Sequence, residues 1–584
     1  MAEEEKTDAA GLQQDSENPA EHHEIEQAAK LESTGAAVEE VNSEEEEEAV
    51  VTFKTWIVVG ILSCGYGLSF WPIPVMANIG GLVGEELGAP SKYIWFIPSW
   101  TISITCCFML CGANTDMLGR RWFLTIGNLI CTVGHIVTAS SKNVNAVIAG
   151  MAISGFGGGN CQMAAFALPE LLPNKWRHIG VVLADLTTLL AVILAPVTGL
   201  YGYHSHSWRW NFYAAAIAQF LSFLGLLFLY FPPAHPYGLP IKKVLPKIDY
   251  VGGALFVAGA VPTLVGVVYT TVVPSNDAHV VAPLVIGFSF LTCFALWETF
   301  SKAEHPLTPR YVFASSWGRD FTAPAIALAV VNMFYYSGSI LWPTIVNAFY
   351  TDGGADWRYG IVLSLPQGLA ITFGAVLLSV FGGTIKNWQW QLTGSVFIMV
   401  LFGSLLALVT PTNKGLMVAC IFISQSAYGW AIYLSIAVAQ MGVEHKDLGL
   451  SGGIAGVFRF AAGSIGAAVY TTILTNETNK SVAKLVPAAA VAAGLPKSKI
   501  SELLSSIGTP ALAKDFSQAV VTAVGGAVDQ AHVHGIRMVA FASMAFGIVG
   551  IIACMCCKDV DKKMNNKIEV YLENTQYANR NKYH

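Results

Sequence analysis

The chain has 584 residues, of which 54% are apolar and only 12% charged, and its mean hydropathy is +0.52. A soluble chain of this length is built as several domains with polar surfaces, and this composition excludes that. Apolar stretches of about 20 residues recur along it, each long enough to cross a hydrocarbon core of about 30 Å, so an all-α polytopic membrane protein is predicted.

The net charge of −6 is uneven: residues 1–50 hold 17 acidic residues and 2 lysines, a balance of −15, which leaves +9 (−6 minus −15) for the remainder. Residues 1–50, with the run Glu44 to Glu48, have too few large apolar side chains to offset ordering entropy and are expected to form a disordered acidic cytosolic tail. No basic segment precedes a short apolar one, so the first membrane helix is expected to direct insertion.

Hydropathy predicts fourteen spans: 56–79, 93–111, 122–140, 144–164, 178–201, 211–231, 249–270, 280–299, 321–343, 358–380, 389–410, 415–438, 452–474 and 536–557. An even number puts both ends on one side. With both termini cytosolic, short inner loops hold 12 Lys or Arg residues and short outer loops 5, as positive charge prefers. The sequons at Asn476 and Asn479 then fall outside, where glycans are added. The loop 475–535 carries Ala-rich amphipathic stretches and is expected to form short helices over the outer mouth, as a cap or as a tolerated insertion. The expected domains are a six-helix half over 51–231, a two-helix insert with linkers over 232–310, a second half over 311–557 that includes the 475–535 loop, and a cytosolic tail over 558–584.

Tyr66 and Trp71 lie in the first span, where Trp71-Pro72-Ile73-Pro74 is expected to break the helix near its outer end. The next loop, Gly112-Ala113-Asn114-Thr115-Asp116-Met117-Leu118-Gly119-Arg120-Arg121, reads G-x-x-x-D-x-x-G-R-R. Charges at a membrane boundary need partners; Asp116 and Arg120 have ion-pair spacing, and Gly112 and Gly119 permit close packing or a positive φ. Span 4 carries Gly155-Phe156-Gly157-Gly158-Gly159, read as close helix packing, followed by Gln162 as a lumen-facing candidate. In span 5, Asp185 is an ionisable residue inside a membrane helix and a candidate for proton coupling; the competing reading is a paired or wetted carboxylate near the cytosolic end. Pro196 and Gly199 follow. Span 9 puts Asn332, Tyr335, Tyr336 and Ser339 at helical spacing, then Trp342. Gln367 is in span 10, and Gln425 and Tyr428 are in span 12. Apolar and aromatic walls with a few polar points suit a neutral, multi-ring organic molecule. Arg459 in span 13 is read as structural or gating, either paired with an acidic group of the first half or snorkelling at the boundary. Gly382-Gly383-Thr384-Ile385-Lys386-Asn387-Trp388 echoes the Gly112–Trp122 loop at the same place in the second half, as expected of an internal repeat.

The eleven cysteines lie in apolar runs or near the last inner boundary, so neither a disulfide framework nor a zinc site is expected. No G-x-x-x-x-G-K-[ST], HExxH or nucleophile elbow occurs, which argues against ATP-driven pumping and against a membrane enzyme.

The Gly112–Arg121 loop resembles the signature loop between helices 2 and 3 of the major facilitator superfamily, where such residues tie the two halves together on the cytosolic side. Ala195-Pro196-Val197-Thr198-Gly199 resembles part of the helix 5 element of drug:proton antiporters, with Ala195 and Leu200 departing from it. Met151 stands where those antiporters carry an arginine, which puts an arginine relay in doubt. Together with Trp208–Tyr213, Asp249–Gly253, Phe334–Ser337, Leu341–Thr344 and Arg459–Gly466, these residues resemble fungal fourteen-helix transporters of the trichothecene efflux pump type, a group that includes siderophore–iron transporters. The resemblance covers about 50–560. It implies two six-helix halves plus a two-helix insert, and proton-driven export of a metabolite, mycotoxin or drug across the plasma membrane, with no cofactor. The expected partners are a small hydrophobic organic substrate, protons and the bilayer, with no nucleic acid, and a monomer is expected to suffice. Uptake of a ferric siderophore and a non-transporting membrane sensor are the alternatives.

Overall fold

The computed structural model describes residues 51–233, 241–301, 303–351, 353, 355–507, 511–578 and 581. The expectation for the acidic tail falls on 1–50 and lies outside the described residues.

Fourteen long helices are described, labelled in chain order: α1 Phe53–Glu86, α2 Phe96–Leu118, α3 Arg120–Ala139, α4 Val144–Gln162, α5 Asn174–Ser205, α6 Arg209–Leu229, α7 Tyr250–Tyr269, α8 Ala278–Phe300, α9 Thr322–Phe349, α10 Trp357–Ile385, α11 Trp388–Leu408, α12 Lys414–Met441, α13 Leu448–Ala492 and α14 Gln518–Cys556. Thirteen of these spans are long and apolar enough to cross a membrane; α4 is the fourteenth. Its glycines and Asn160 lower its hydropathy, and the same residues explain its packing. A Cβ on Gly134 of α3 would collide with Ser154 Oγ of α4, so small residues on both helices bring the two backbones together. Short polar residues cap several helix starts: Thr52 accepts from Thr55 N at 3.2 Å, Asn143 from Ala146 N at 2.9 Å and Asp249 from Gly252 N at 2.7 Å.

Helices α1 to α6 pack on one another as one half, and α9 to α14 as the other. The pair α7 and α8 sits outside, with α7 against α2 and α13. Across the seam, α2 packs along α13, and α5 packs along α10 and α12. Lys54 Nζ, near the start of the described chain, donates to Asn574 O near its end at 3.3 Å. Both described ends therefore share one face of the bundle, called here the terminal face.

One expectation is refined and two are corrected. Trp71-Pro72-Ile73-Pro74 interrupts α1 as a hydrogen-bonded helix, which ends at Phe70 and restarts at Pro72, but it does not turn the chain: Trp71 is helical at φ −46° and ψ −40° and still donates its N–H to Gly67 O at 3.1 Å. Pro72 falls where the second segment begins, the position a helix tolerates best, so the chain continues as one span. The 475–535 segment is not a row of short helices. Helix α13 runs 45 residues and α14 runs 39, about 68 and 58 Å at about 1.5 Å per residue, roughly twice the bilayer core. Their surplus turns project from the face opposite the termini as a hairpin with its own core, including Val486, Ala490, Leu503, Val520 and Val524. Among the described residues, the short helices are at its tip: Ile500–Ser506 and Ala511–Asp515, with a 3-10 turn at Lys497–Lys499. Asn476 and Asn479 are therefore exposed on a helix rather than in a loop.

The echo between the two turns has a backbone basis. Gly119 joins α2 to α3 at φ +81°, and Lys386 and Asn387 join α10 to α11 at φ +54° and +52°. Both turns need a left-handed backbone, which glycine adopts freely and asparagine tolerates.

Candidate functional site

A small cavity lies between the halves near the middle of the bundle. Helix α5 contributes Asp185, Thr188, Leu189 and Val192; α9 contributes Asn332, Tyr335 and Tyr336; α12 contributes Tyr428 and Tyr433; α13 contributes Arg459 and Phe460. Phe70 and Ile371 complete it. Arg459 is 11 residues into α13, about 17 Å along its axis, and its guanidinium turns inward to Tyr66 of the other half. Asp185 interrupts α5, separating Arg177–Ala184 from Leu186–Ser205 at φ −97° and ψ 7°.

Each charged residue is held by a tyrosine of the opposite half. Tyr433 donates its hydroxyl to Asp185 Oδ2 at 2.7 Å, and Arg459 Nη1 donates to Tyr66 Oη at 2.9 Å. Asn332 Nδ2 donates to the Arg459 carbonyl at 2.7 Å. Tyr335 stacks on Tyr428 at 5.4 Å between centroids. The result is one acid and one base facing an aromatic chamber, with two crossed ties between the halves. The chamber has a volume of about 20 Å³, room for about one water. Drug-sized ligands need roughly 300–1,000 Å³, so admitting one requires the halves to move apart.

Of the expected lining residues, Asn332, Tyr335, Tyr336 and Tyr428 face the cavity, and Tyr66 reaches it through Arg459. The others do not. Trp71 is half-buried against the core. Gln162 is buried and donates to Ser69 Oγ at 3.5 Å, Trp342 Nε1 donates to Leu363 O at 2.6 Å, and Gln367 Nε2 donates to Ser339 Oγ at 3.0 Å. Gln425 packs on Gly338, whose Cβ would meet its Nε2 at 2.6 Å. The bonds that Gln162, Trp342 and Gln367 make stay within a half. Tyr433 and Thr188 were missed; both were polar residues in apolar runs, the signal that had singled out Tyr428.

Pro196 has a specific effect. It cannot donate to Val192 O four residues back, and Gly368 of α10 packs there: a Cβ on Gly368 would lie 2.7 Å from that oxygen. A Cβ on Gly199 would meet Val75 and Ile79 of α1 only at ordinary contact distance.

The Gly112–Arg121 loop lies at the seam on the terminal face. Asp116 accepts from Gly449 N at 2.9 Å and Leu450 N at 2.7 Å, so its carboxylate sits on the N-terminus of α13, in the opposite half, where free N–H groups and the helix dipole favour an anion. Gly112 makes this approach possible, since its Cβ would lie 2.6 Å from Gly453 Cα. Arg120 stays within its own half, ion-paired with Asp116 at 3.8 Å and with Glu170. Glu170 in turn reaches His445 of the second half at 3.3 Å. Arg121 is not part of the seam: Nη2 donates to Leu227 O at 2.9 Å, and the guanidinium lies 3.8 Å from the Phe231 ring centroid, tying α3 to α6. Glu170, Asn174 and His445 were not anticipated, because nothing in their local spacing shows that three distant loops meet.

The fungal trichothecene efflux pump (TRI12) family matches residues 76–583. The MFS-type transporter prx5 of Penicillium rubens is 58% identical over 544 residues, covering 93% of this chain and 97% of the relative. The trichothecene efflux pump TRI12 of Fusarium sporotrichioides is 24% identical over 508 residues, covering 85% and 84%. The crystal structure of the human organic anion transporter MFSD10 matches with a TM-score of 0.53 at 14% identity, covering 86% of this chain and 99% of that one. The major facilitator proton:xylose symporter XylE matches at 0.51 and 13%, covering 87% and 95%. At such identities the structural likeness carries the fold alone, which is the major facilitator fold.

Proposed function

The chain belongs to the fungal trichothecene efflux pump family of major facilitator transporters, multi-pass membrane proteins and not enzymes, and from that premise we propose that it exports a small, largely apolar organic cargo across the plasma membrane in exchange for protons. In this reading it works as a monomer, without a cofactor, with both termini cytosolic. The carrying observation is the pair of crossed ties: Asp185 to Tyr433 and Arg459 to Tyr66, each joining one half to the other inside the cavity.

An ionised Asp185 accepts strongly from Tyr433 and offsets the charge of Arg459. Protonation weakens that tie and leaves the arginine's charge unbalanced. The two protonation states then favour different arrangements of the halves, and a ligand shifts such an equilibrium only through its differential affinity for them. The tyrosine walls offer flat apolar faces and hydroxyl donors, which suit an oxygenated multi-ring cargo of the kind named for the Fusarium relative.

The test is retention of a labelled trichothecene in yeast lacking its own pumps, with and without an uncoupler. Gradient-dependent loss of label from the cells is expected. Asp185→Asn is expected to lower uphill export at least about 10-fold while binding of label to purified protein persists. Export that ignores the uncoupler, or survives Asp185→Asn intact, sinks the proton-coupled reading.

A further inference from the structure

Alternating access requires the seam on each face to open in turn. On the terminal face that seam is crossed by a segment outside the helical halves. After α14 ends at Cys556, the chain leaves the second half, to which it first stays bonded: Lys558 N donates to Arg319 O at 3.1 Å, and Lys563 Nζ to Met441 O at 2.5 Å. It then runs beneath the first half. Three main-chain bonds join it to Glu170 and to the first turn of α5: Lys175 N to Asn565 O at 2.7 Å, Asn174 N to Lys567 O at 2.9 Å, and Val570 N to Glu170 O at 3.1 Å. Glu573 N reaches Phe231 O, past the end of α6, at 2.9 Å. Leu572 is 1% exposed, so the segment is packed down and not merely lying on the surface.

We propose that residues 558–578 are a strap that closes the terminal-face mouth, and that Glu569 is the residue positioning it for the transport cycle. Glu569 Oε1 accepts from Asn174 Nδ2 at 2.9 Å, and Asn174 Oδ1 accepts from Arg177 Nη2 at 2.7 Å. That row continues beside Glu170, which contacts both Arg120 and His445. The strap therefore docks on the same loop that closes the seam. Opening the mouth separates Asn174 and Glu170 from Met441 and Arg319; the strap follows directly on α14 and is joined covalently to the second half, so the side it must release is the first half, at Asn174 and Glu170. Neither the identity of the cargo nor proton coupling enters this argument; it takes only the cytosolic placement of the termini from the function proposed above.

The experiment uses the full chain in membrane vesicles, with Thr115→Cys as the reporter of an open mouth, since Thr115 is fully buried beside Gly449. Its reaction with an impermeant maleimide, above the background of the parent, is measured in inside-out and right-side-out vesicles. Deletion of 558–584 and, should that variant fold poorly, Glu569→Lys are each expected to raise the labelling rate about 10-fold, with Glu569→Gln in between. A second measurement tethers Asn174→Cys to Glu569→Cys with a short bifunctional maleimide, the link verified by peptide mass spectrometry. The tethered protein is expected to stop transporting, while each single-cysteine control, treated alike, keeps the rate that it shows without the reagent. Unchanged labelling in both strap variants, or transport that continues through the tether, overturns the strap. Reporter labelling from the outer face alone would reverse the proposed orientation and leave the strap standing, so the two failures are distinguishable.

Discussion

At the scale of single residues, the Gly112–Arg121 loop shows what charge spacing conveys and what it omits. The G-x-x-x-D-x-x-G-R-R pattern placed a gate here, and the ion pair read from the spacing of Asp116 and Arg120 is present at 3.8 Å. The bonds that cross between the halves involve different partners: backbone N–H groups of Gly449 and Leu450, which have no sequence signature because every residue but proline has one. Arg121, next in the chain, points the other way. Asp116→Ala removes the anion from the start of α13, a capping loss of about 1–2 kcal/mol, and leaves Glu170 as the carboxylate paired with Arg120. The seam should open more readily, so the Thr115→Cys reporter should label several-fold faster. Asp116→Asn, which keeps one acceptor, should fall between. Equal rates in all three would mean that the carboxylate does not hold the seam. On the strap, burial pushes Glu569 up, but the Asn174 hydrogen bond and the charges of Lys567, His445 and Arg177 outweigh it and hold the carboxyl below its ordinary value. The sign follows: its contribution to docking is complete above the ordinary carboxylate pKa and is lost only as pH falls through the lowered one. The ratio of labelling rates between Glu569→Gln and the unmutated strap, in which the pH dependence of the reporter thiol itself cancels, should therefore stay constant between pH 6 and 8.

At the scale of helices, period and apolar length located the spans, and deviations from regularity located the site. Asp185 interrupts α5, Pro196 frees a carbonyl further along it, and Gly368 of α10 fits against that carbonyl. Asp185 and Pro196 were legible because a charge or a proline in an apolar helix is conspicuous. Gly368 was not, since glycine is common in membrane helices and only a neighbouring backbone, 2.7 Å from where its Cβ would stand, gives it meaning. The same blindness hid which polar groups face the chamber: Gln367 and Gln425 look like cargo contacts in the sequence but face other helices of their own half. Gly368→Val places a branched side chain against Val192 and costs about 1–3 kcal/mol of overpacking. It should hold α5 and α10 apart and lower export about 10-fold or more, with the protein still reaching the membrane. Pro196→Ala restores the N–H and should change export far less. If Gly368→Val exports normally, the close approach of α5 and α10 is not needed in the cycle.

At the scale of the whole molecule, the fourteen-helix count and the two-half plan were legible because bilayer thickness fixes helix length and connectivity fixes side. The surplus length of α13 and α14 was not, because alanine-rich polar turns outside a bilayer have the composition of a loop. Their helicity comes from packing on each other, through residues such as Val486, Leu503 and Val520, and short isolated helices are marginal in water without such contacts. This hairpin also supplies a test of orientation. Asn476 is 28 residues past Leu448, roughly 42 Å along α13, which is beyond a hydrocarbon core of about 30 Å. With the termini cytosolic, both sequons are outside. A glycosidase-sensitive mass increment is then expected, reduced by Asn476→Gln and by Asn479→Gln and absent from the double variant. Thr478 packs so closely on Gly535 that any Cβ there would collide with its hydroxyl. Modification therefore has to precede closure of the hairpin, and Asn479, whose Ser481 lies a turn further out, should carry the larger share. An unmodified wild type would be ambiguous alone, so a carboxyl-terminal epitope is read in the same cells. Antibody access only after permeabilisation keeps the orientation, and access in intact cells reverses it.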